Sequence, residues 1–188
     1  SGAGNLISGN NSNGVDLNAP GAVVQGNFIG TNAGGTGAVG NGRVVVGHGV
    51  FILSSNNTIG GTSAGARNVI SGNNGNGVVV NDAFSPVNNS IVGNFIGTNA
   101  AGSAALANVQ SGIVIVGGSN TIVGGFTASE RNVISGNGIH GVTFIRSLPN
   151  GKFVSVFATG QVTRLAQNWL GDVAMLDRGT KSINLADR

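Results

Sequence analysis

A six-residue motif that returns along the chain constrains the fold more than any other feature of the sequence. Its copies begin with Asn, carry an aliphatic residue at the third position and end at or near a second Asn. They occupy residues 5–10, 27–32, 68–73, 94–99 and 132–137, with a decayed copy at 168–173. Repetition of this kind is typical of a solenoid, in which each repeat buries its apolar face only against its neighbours. The motif therefore predicts a stack of coils.

Each predicted coil holds three short strands. Alignment on the hexads gives coils of about 31 residues, and each coil has three segments rich in Val and Ile and bounded by Gly, Asn and Ser. We expect an all-β, right-handed parallel β-helix of about six coils, with three strands per coil forming three parallel sheets. One domain would span 1–188, with regular coils at 5–145, an insertion at about 146–161 and a degenerate last coil at about 162–188. We expect a strand or hairpin standing off the rod in the insertion, and allow a short turn of helix only at 161–170.

Composition excludes several classes of protein. Glycine makes up 35 of 188 residues, yet 40% of the chain is hydrophobic and only 8% is charged, which argues against disorder. Without cysteine the chain has neither disulfides nor a thiolate metal site. The longest apolar runs are too short to span a membrane. The net charge of +3 comes without any cluster of Lys or Arg, so we expect no nucleic-acid partner. Because 2–5 aligns with 65–68, we interpret the chain as a fragment that starts within a repeat.

Two columns of asparagines are expected to stack from coil to coil and to bond through their amides. We interpret both as structural ladders. The first would contain Asn5, Asn27, Asn68, Asn94, Asn132 and Asn168. The second would contain Asn10, Asn32, Asn73, Asn99 and Asn137.

The third strand of each coil predicts an outward-facing column. Its middle positions are Asp16, Phe51, Val79, Val114, Thr143 and Asn184. An unpaired carboxylate is costly to bury, so Asp16 places this column on the outside and exposes Phe51, Val79 and Val114 as an apolar stripe. The stripe is either covered by a loop, used for self-contact, or a binding groove. We predict the core positions of the first strand to be Val24, Ile59, Ile91, Ile122 and Leu165.

The six acidic residues do not share a column. Cleavage of a polysaccharide requires paired carboxylates or a charged base with a partner, so this scatter favours a non-catalytic role. If the chain were an enzyme, its reacting groups would be Asp172, Asp177 and Arg164. Neither His48 nor His140 has a metal-ligand partner at suitable spacing, so we predict no metal and no cofactor.

Two further columns suggest binding. Arg67 and Arg131 precede equivalent asparagines two coils apart; they either solvate a corner or contact a spaced anionic sugar chain. Thr58, Ser90 and Thr121 would form a hydroxyl column of the kind found in ice-binding solenoids, although Val23 and Arg164 interrupt it.

The pattern Asn-x-Ile-x-Gly-Asn followed by Gly-Val/Ile-x-Val/Ile resembles the repeats of right-handed parallel β-helix proteins of the pectate-lyase-like superfamily, in particular bacterial surface and periplasmic members. The resemblance covers most of 5–145 and implies an extracellular or cell-surface location in a bacterium. The superfamily includes lyases, hydrolases, epimerases and adhesins, so the fold alone does not decide the function. We expect a non-catalytic repeat module, a spacer, an adhesin or a glycan-binding surface, with a polysaccharide-active enzyme and an ice-binding solenoid as alternatives. Self-association through the solenoid ends or the apolar stripe is a further expectation.

Overall fold

The computed structural model describes residues 4–117 and 119–147, and beyond them the strand backbone at 153–158, 164–167, 173–176 and 182–183. The first fourteen strands are two to six residues long. They are β1 (Leu6–Ile7), β2 (Val15–Leu17), β3 (Val23–Val24), β4 (Phe28–Ile29), β5 (Val50–Ile52), β6 (Thr58–Gly60), β7 (Val69–Ile70), β8 (Val78–Val80), β9 (Ser90–Val92), β10 (Phe95–Ile96), β11 (Ile113–Val116), β12 (Ile122–Gly124), β13 (Val133–Ile134) and β14 (Val142–Ser147).

These strands form three parallel sheets, which confirms the predicted architecture. Sheet A holds β1, β4, β7, β10 and β13, sheet B holds β2, β5, β8, β11 and β14, and sheet C holds β3, β6, β9 and β12. The chain passes from A to B to C on every turn, so each strand pairs with its copies in the turns before and after. The described strands make four complete turns and two strands of a fifth. The prediction of six coils is therefore wrong.

The stack of parallel strands ends because the chain reverses direction after β14. The later strands are β15 (Phe153–Ala158), β16 (Arg164–Gln167), β17 (Val173–Leu176) and β18 (Ser182–Ile183). β15 pairs antiparallel with β14, and β16 pairs antiparallel with β12. β17 and β18 continue sheet C in the same antiparallel manner. An antiparallel partner satisfies the backbone groups that an open edge would leave unpaired.

Three expectations for this end of the chain need correction. The strand in the insertion does not stand off the rod, since β15 extends sheet B. Residues 164–167 form a strand, where the sequence had allowed helix. Leu165 is not the next parallel copy of the first strand, because it lies opposite Val123 in an antiparallel pair.

The core is a column of aliphatic side chains that stack like on like. In sheet A, Ile29, Ile70, Ile96 and Ile134 follow one another in register and are at most 1% exposed. Full burial of one such side chain contributes about 1.5–3 kcal/mol. Because each isoleucine packs on its copies above and below, the apolar core is continuous through the described turns.

The register of β12, the strand of sheet C on the fourth turn, differs from the prediction by one residue. Ile91 pairs with Val123, which is fully buried, whereas Ile122 pairs with Ser90 and is 38% exposed. The reason lies in the preceding turn. Asn120 has the left-handed φ of 55°, like Asn56 and Asn88 on the turns below, and it aligns with those residues. The strand that follows therefore begins one residue later than alignment on the Asn-Thr-Ile sequence suggests.

The corners between sheets carry loops of unequal length. The A-to-B corner bears the long loops 30–49 and 97–112. The C-to-A corner carries 3₁₀ turns at Ala64–Ala66 and Ala128–Glu130. The B-to-C corner carries a single 3₁₀ turn at Asp82–Phe84 among the described residues. The asparagine ladders and the arginines described below lie at these corners.

Candidate functional site

The first asparagine ladder lies at the C-to-A corner and is confirmed for its described members. The Oδ1 atom of Asn94 accepts from the backbone N of Asn68 at 3.3 Å and from its Nδ2 at 2.9 Å. The Oδ1 atom of Asn132 accepts in the same way from Asn94, at 2.9 and 3.0 Å. Asn168 lies outside the described residues. The members that bond in this pattern are Asn5, Asn27, Asn68, Asn94 and Asn132.

The same amides also bond to backbone carbonyls of sheet C across the corner. Nδ2 of Asn94 donates to the carbonyls of Ile59 and Val92 at 2.8 and 3.0 Å. Asn94 has no exposed surface, and its amide hydrogens and oxygen all have partners. Buried polar groups stabilise a fold only when they are bonded in this way. The ladder is therefore structural, and its amides are not available to a ligand.

The second ladder lies at the A-to-B corner, and two of its predicted members are wrong. Nδ2 of Asn41 donates to Oδ1 of Asn73 at 2.8 Å, and Nδ2 of Asn73 donates to Oδ1 of Asn108 at 2.8 Å. Asn32 and Asn99 take no part. Instead their Oδ1 atoms accept from the backbone four residues ahead, inside the long loops. The complete ladder is Asn10, Asn41, Asn73, Asn108 and Asn137.

A hairpin-like excursion explains this correction. After the hexad, the chain leaves the corner and returns through antiparallel bridges between Thr31 and Ala38 and between Thr98 and Ala105. Only then does it reach the ladder position. A usable signal for four of the five members was present in the sequence. Each of these asparagines lies four residues before the glycine that precedes a strand of sheet B, and the exception is Asn41, which lies eight residues before Gly49. Counting back from the glycine before β11 finds Asn108, whereas counting forward from the hexad finds Asn99.

A third, shorter ladder occupies the B-to-C corner and was not predicted. Oδ1 of Asn89 accepts from the backbone N and Nδ2 of Asn57 at 2.9 and 3.0 Å. The next position is Thr121, which is fully buried and whose Oγ1 has no hydrogen-bond partner among the described residues. Thr121 therefore stands in line with Asn57 and Asn89 and does not extend Thr58 and Ser90. The predicted hydroxyl column ends after those two residues, because Ile122 follows Ser90.

The three described acidic side chains lie at different places, and two of them, Asp16 and Glu130, make local structural hydrogen bonds. Asp16 accepts a hydrogen bond from Nδ2 of Asn13 at 2.7 Å. Glu130 closes a capping box with Thr127, whose backbone N donates to it at 2.8 Å. Asp82 begins a 3₁₀ turn, and its carboxylate lies against Gly117. Asp172 and Asp177 fall outside the described residues, and of Arg164 only the strand backbone is described.

The two corner arginines differ in their surroundings. The guanidinium of Arg67 lies 4.2 Å from the ring centroid of Phe95, and its Nε donates to the carbonyl of Gly93 at 3.2 Å. A cation so placed over an aromatic ring gains cation–π attraction. Arg67 is therefore held against the corner by contacts within the chain. Arg131 is half-buried at the equivalent position two turns on.

The outer column of sheet B follows the predicted register, but it is not an exposed stripe throughout. Phe51, Val79 and Val114 are neighbours on successive strands. Phe51 and Val114 are half-buried, while Val79 is only 4% exposed. The expectation of an exposed Val79 is wrong, since its neighbours in the column leave it little contact with solvent. Asp16, at the start of the column, is exposed as expected.

His48 connects this column to the A-to-B corner. Its ring stacks on Phe51 with a centroid distance of 5.6 Å, and its Nδ1 accepts from the backbone N of Asn76 at 3.0 Å. Because a backbone N–H can only donate, Nδ1 is unprotonated and the neutral ring carries its proton on Nε2. Burial lowers the pKa of His48 below its usual value, and the charge of Asp16 opposes that shift. His48 thus links three turns, because its ring accepts from Asn76 and its backbone N donates to Oδ1 of Asn13.

Within the part of the chain that the structure describes, no three His, Asp or Glu side chains come together in a way that would hold a metal ion. The described residues also contain no helix with the length and hydropathy of a membrane span.

Comparison with protein-family models, with curated protein sequences and with solved structures gives no match for this chain.

Proposed function

We propose that the chain is a non-catalytic repeat module, a β-solenoid spacer displayed outside the cell. One observation carries this proposal: the buried polar side chains at the corners bond from turn to turn in three ladders. In an active site, polar groups are left available for the substrate. Here the ladder amides bond one turn to the next, and two of the three described acids, Asp16 and Glu130, bond within a local turn or cap.

The hexads and the three-sheet solenoid support assignment to the right-handed parallel β-helix proteins of the pectate-lyase-like superfamily. From that likeness we propose a bacterial origin and a cell-surface or extracellular location. Long, rigid stacks of this kind are suited to separating an adhesive tip from a cell wall, since each added turn extends the stack by about 4.8 Å. We also propose that copies associate through the solenoid ends.

A second function, contact with a surface glycan, is favoured by the outer face of sheet B. The stacked rings of His48 and Phe51 form a flat partly exposed surface beside the Asp16 carboxylate. Arg67 and Arg131 lie on another corner and, if they act on a ligand, would favour an acidic chain. Their contribution would weaken with added salt, because exposed charges are screened.

The test of the non-catalytic role is an assay for polysaccharide cleavage. The chain is incubated with pectin, alginate and neutral polysaccharides, with and without calcium. New reducing ends and the absorbance of unsaturated products are then followed. We expect neither signal. Cleavage that disappears in Asp172→Asn or Asp177→Asn, but persists in Asp82→Asn, would overturn the proposal and place an active site near the C-terminus.

A further inference from the structure

The B-to-C corner carries an insertion that builds a wall beside a groove. The loop runs from 53 to 56 on the second turn and from 81 to 88 on the third, so the third is four residues longer. The added residues form the 3₁₀ turn Asp82–Phe84, which is capped by the Asn81 side chain accepting from the N of Ala83 at 3.0 Å. The turn lifts Phe84 away from the stack, where it is 74% exposed.

Below this wall, the shorter loops of the first two turns form the floor of a groove of about 710 Å³. No charged side chain is among its lining residues in the described part of the chain. The lining combines three apolar side chains with four polar ones. They are Pro20, Leu53, Phe84, Asn18, Ser54, Ser55 and Asn56.

Several polar groups of the groove have hydrogen-bonding capacity left over, in contrast with the ladders. None of the described residues bonds to the side-chain amide of Asn18. Asn56 accepts from Asn88 at 3.3 Å through Oδ1, which leaves its Nδ2 hydrogens without a described partner. Ser55 accepts from the backbone N of Val87 at 3.0 Å, and its own hydroxyl hydrogen is uncommitted. The residues that line this space therefore keep two donor groups, on Ser55 and Asn56, and the complete amide of Asn18 unused by the described part of the chain.

The backbone of the groove is set before any ligand arrives. Asn56 and Ser85 both have left-handed φ values, 61° and 46°. Residues other than glycine adopt this region rarely, and where they do the surrounding structure fixes them. Ser85 ends the 3₁₀ turn by donating its N–H to the carbonyl of Asp82 at 2.8 Å. The position of Phe84 relative to the floor is thus held by local bonds.

We propose that this groove binds a neutral oligosaccharide. A pyranose ring has one face of C–H groups that packs on an aromatic ring, here Phe84, and hydroxyls at its rim that exchange hydrogen bonds with amides and hydroxyls, here Asn18, Ser55 and Asn56. Sites for small ligands are typically built this way, from an apolar surface and a few placed polar groups. The lining offers no cation to pair with the carboxylate of a uronic acid. A neutral sugar is therefore preferred to an acidic one.

This site goes beyond the spacer role and does not depend on it. If the groove binds nothing, the spacer proposal stands; if the chain cleaves a polysaccharide, the groove proposal stands. The two are tested by different measurements.

The experiment is a titration of the ¹⁵N-labelled chain with mannotetraose, cellotetraose and xylotetraose, and with tetragalacturonate as the acidic control. Signals of the Asn18 and Asn56 side-chain amides report on the groove directly. Phe84→Ala removes the stacking surface. Phe126→Ala is the matched control, because Phe126 is 79% exposed on the C-to-A corner. Unchanged signals from the core amides establish that both variants are folded.

We expect at least one neutral tetrasaccharide to shift both amide signals, and Phe84→Ala to weaken its binding about tenfold or more, equivalent to about 1.4 kcal/mol. Phe126→Ala should leave the affinity unchanged, and tetragalacturonate should bind at least about tenfold more weakly. The proposal is overturned if no neutral tetrasaccharide shifts these signals at millimolar concentration, if Phe84→Ala binds as well as the unmodified chain, or if the acidic sugar binds equally well.

Discussion

The Oδ1 atom of Asn132 accepts two hydrogen bonds from Asn94, one from its backbone N at 2.9 Å and one from its Nδ2 at 3.0 Å. At this corner, which lies outside the strands, a side-chain oxygen thus accepts the backbone N–H that a carbonyl would accept within a sheet. Stacked over the described turns, this arrangement satisfies the buried amides of a corner that apolar packing alone would leave unpaired.

Removing one rung should destabilise the chain well beyond the loss of one side chain. In Asn94→Ala, the Asn68 amide and the Ile59 carbonyl each lose a hydrogen-bond partner while remaining buried. We expect the free energy of unfolding to fall by about 1–3 kcal/mol. The matched control is Asn11→Ala, since Asn11 is exposed and its side chain bonds to none of the described residues. That change should cost less than about 0.5 kcal/mol. Urea denaturation of both variants decides, and equal midpoints would contradict the structural role of the ladder.

The second ladder offers a direct comparison between two asparagines in one loop. Asn41 is fully buried and bonds to Asn10, Asn73 and the Ile7 carbonyl. The Asn32 side chain bonds only to Thr36, four residues ahead in the same loop. Asn41→Ala should therefore lower the free energy of unfolding by about 1–3 kcal/mol, and Asn32→Ala by about 1 kcal/mol or less. Thermal and urea unfolding measure both. A larger loss from Asn32→Ala would mean that the ladder passes through the hexad as the sequence alone suggested.

The gap in the third ladder should be repairable. Thr121 is buried with an unbonded hydroxyl at the position that follows Asn57 and Asn89. Thr121→Asn restores an amide there and should raise the free energy of unfolding by about 0.5–1.5 kcal/mol. Thr121→Val, of nearly the same shape, removes the unbonded hydroxyl without adding a rung. If the asparagine variant is no more stable than the valine variant, the third ladder does not extend to this turn.

Protonation of His48 should weaken the A-to-B corner. Because burial lowers its pKa in the folded chain, the unfolded chain takes up a proton first, near its usual value of about 6.5. The contribution of His48 is therefore complete above about pH 6.5 and is lost as the pH falls through the folded-state pKa. Asp16, which opposes the shift, limits the loss.

The measurement is the urea midpoint from pH 8 to pH 5 for the unmodified chain and for His48→Gln. The unmodified chain should lose more stability over this range, since only it has the titrating ring bonded to the Asn76 backbone N. Parallel declines in the two proteins would show that His48 is not responsible. Asp16→Asn should enlarge the decline in the unmodified background.

Much of the fold followed from the sequence because its repeats are local. The hexads specify sheet A directly, and the register of Asp16, Phe51 and Val79 in sheet B was predicted correctly. The errors arose where the loop between two strands sets the alignment. Asn120 shifts the following strand by adopting a left-handed φ, and a small bridge at Thr31 returns the chain before the ladder resumes at Asn41. Neither the left-handed φ of Asn120 nor the bridge at Thr31 can be recognised from a residue-by-residue alignment.

The ends and the surface were harder to predict for related physical reasons. Reversal after β14 depends on pairing between β14 and β15, which residue types alone do not distinguish from another parallel turn. Val79 was placed on the correct face, but its exposure depends on the size of its neighbours in the column. The groove at the B-to-C corner depends on one loop being longer than those beside it. The sequence contains that difference, but only the stacking of the turns shows that Phe84 then lines the same groove as Asn18 and Asn56.

The most direct test of the ladders is NMR detection of scalar coupling across their hydrogen bonds. Such couplings connect the donor nitrogen of one asparagine with the side-chain carbonyl carbon of the next, and they exist only where the bond exists. We predict correlations from Asn68 to Asn94 and from Asn94 to Asn132 in the first ladder, and from Asn41 to Asn73 in the second. Absence of these correlations, or a correlation that joins Asn32 to Asn73, would contradict the account of how the turns are held together.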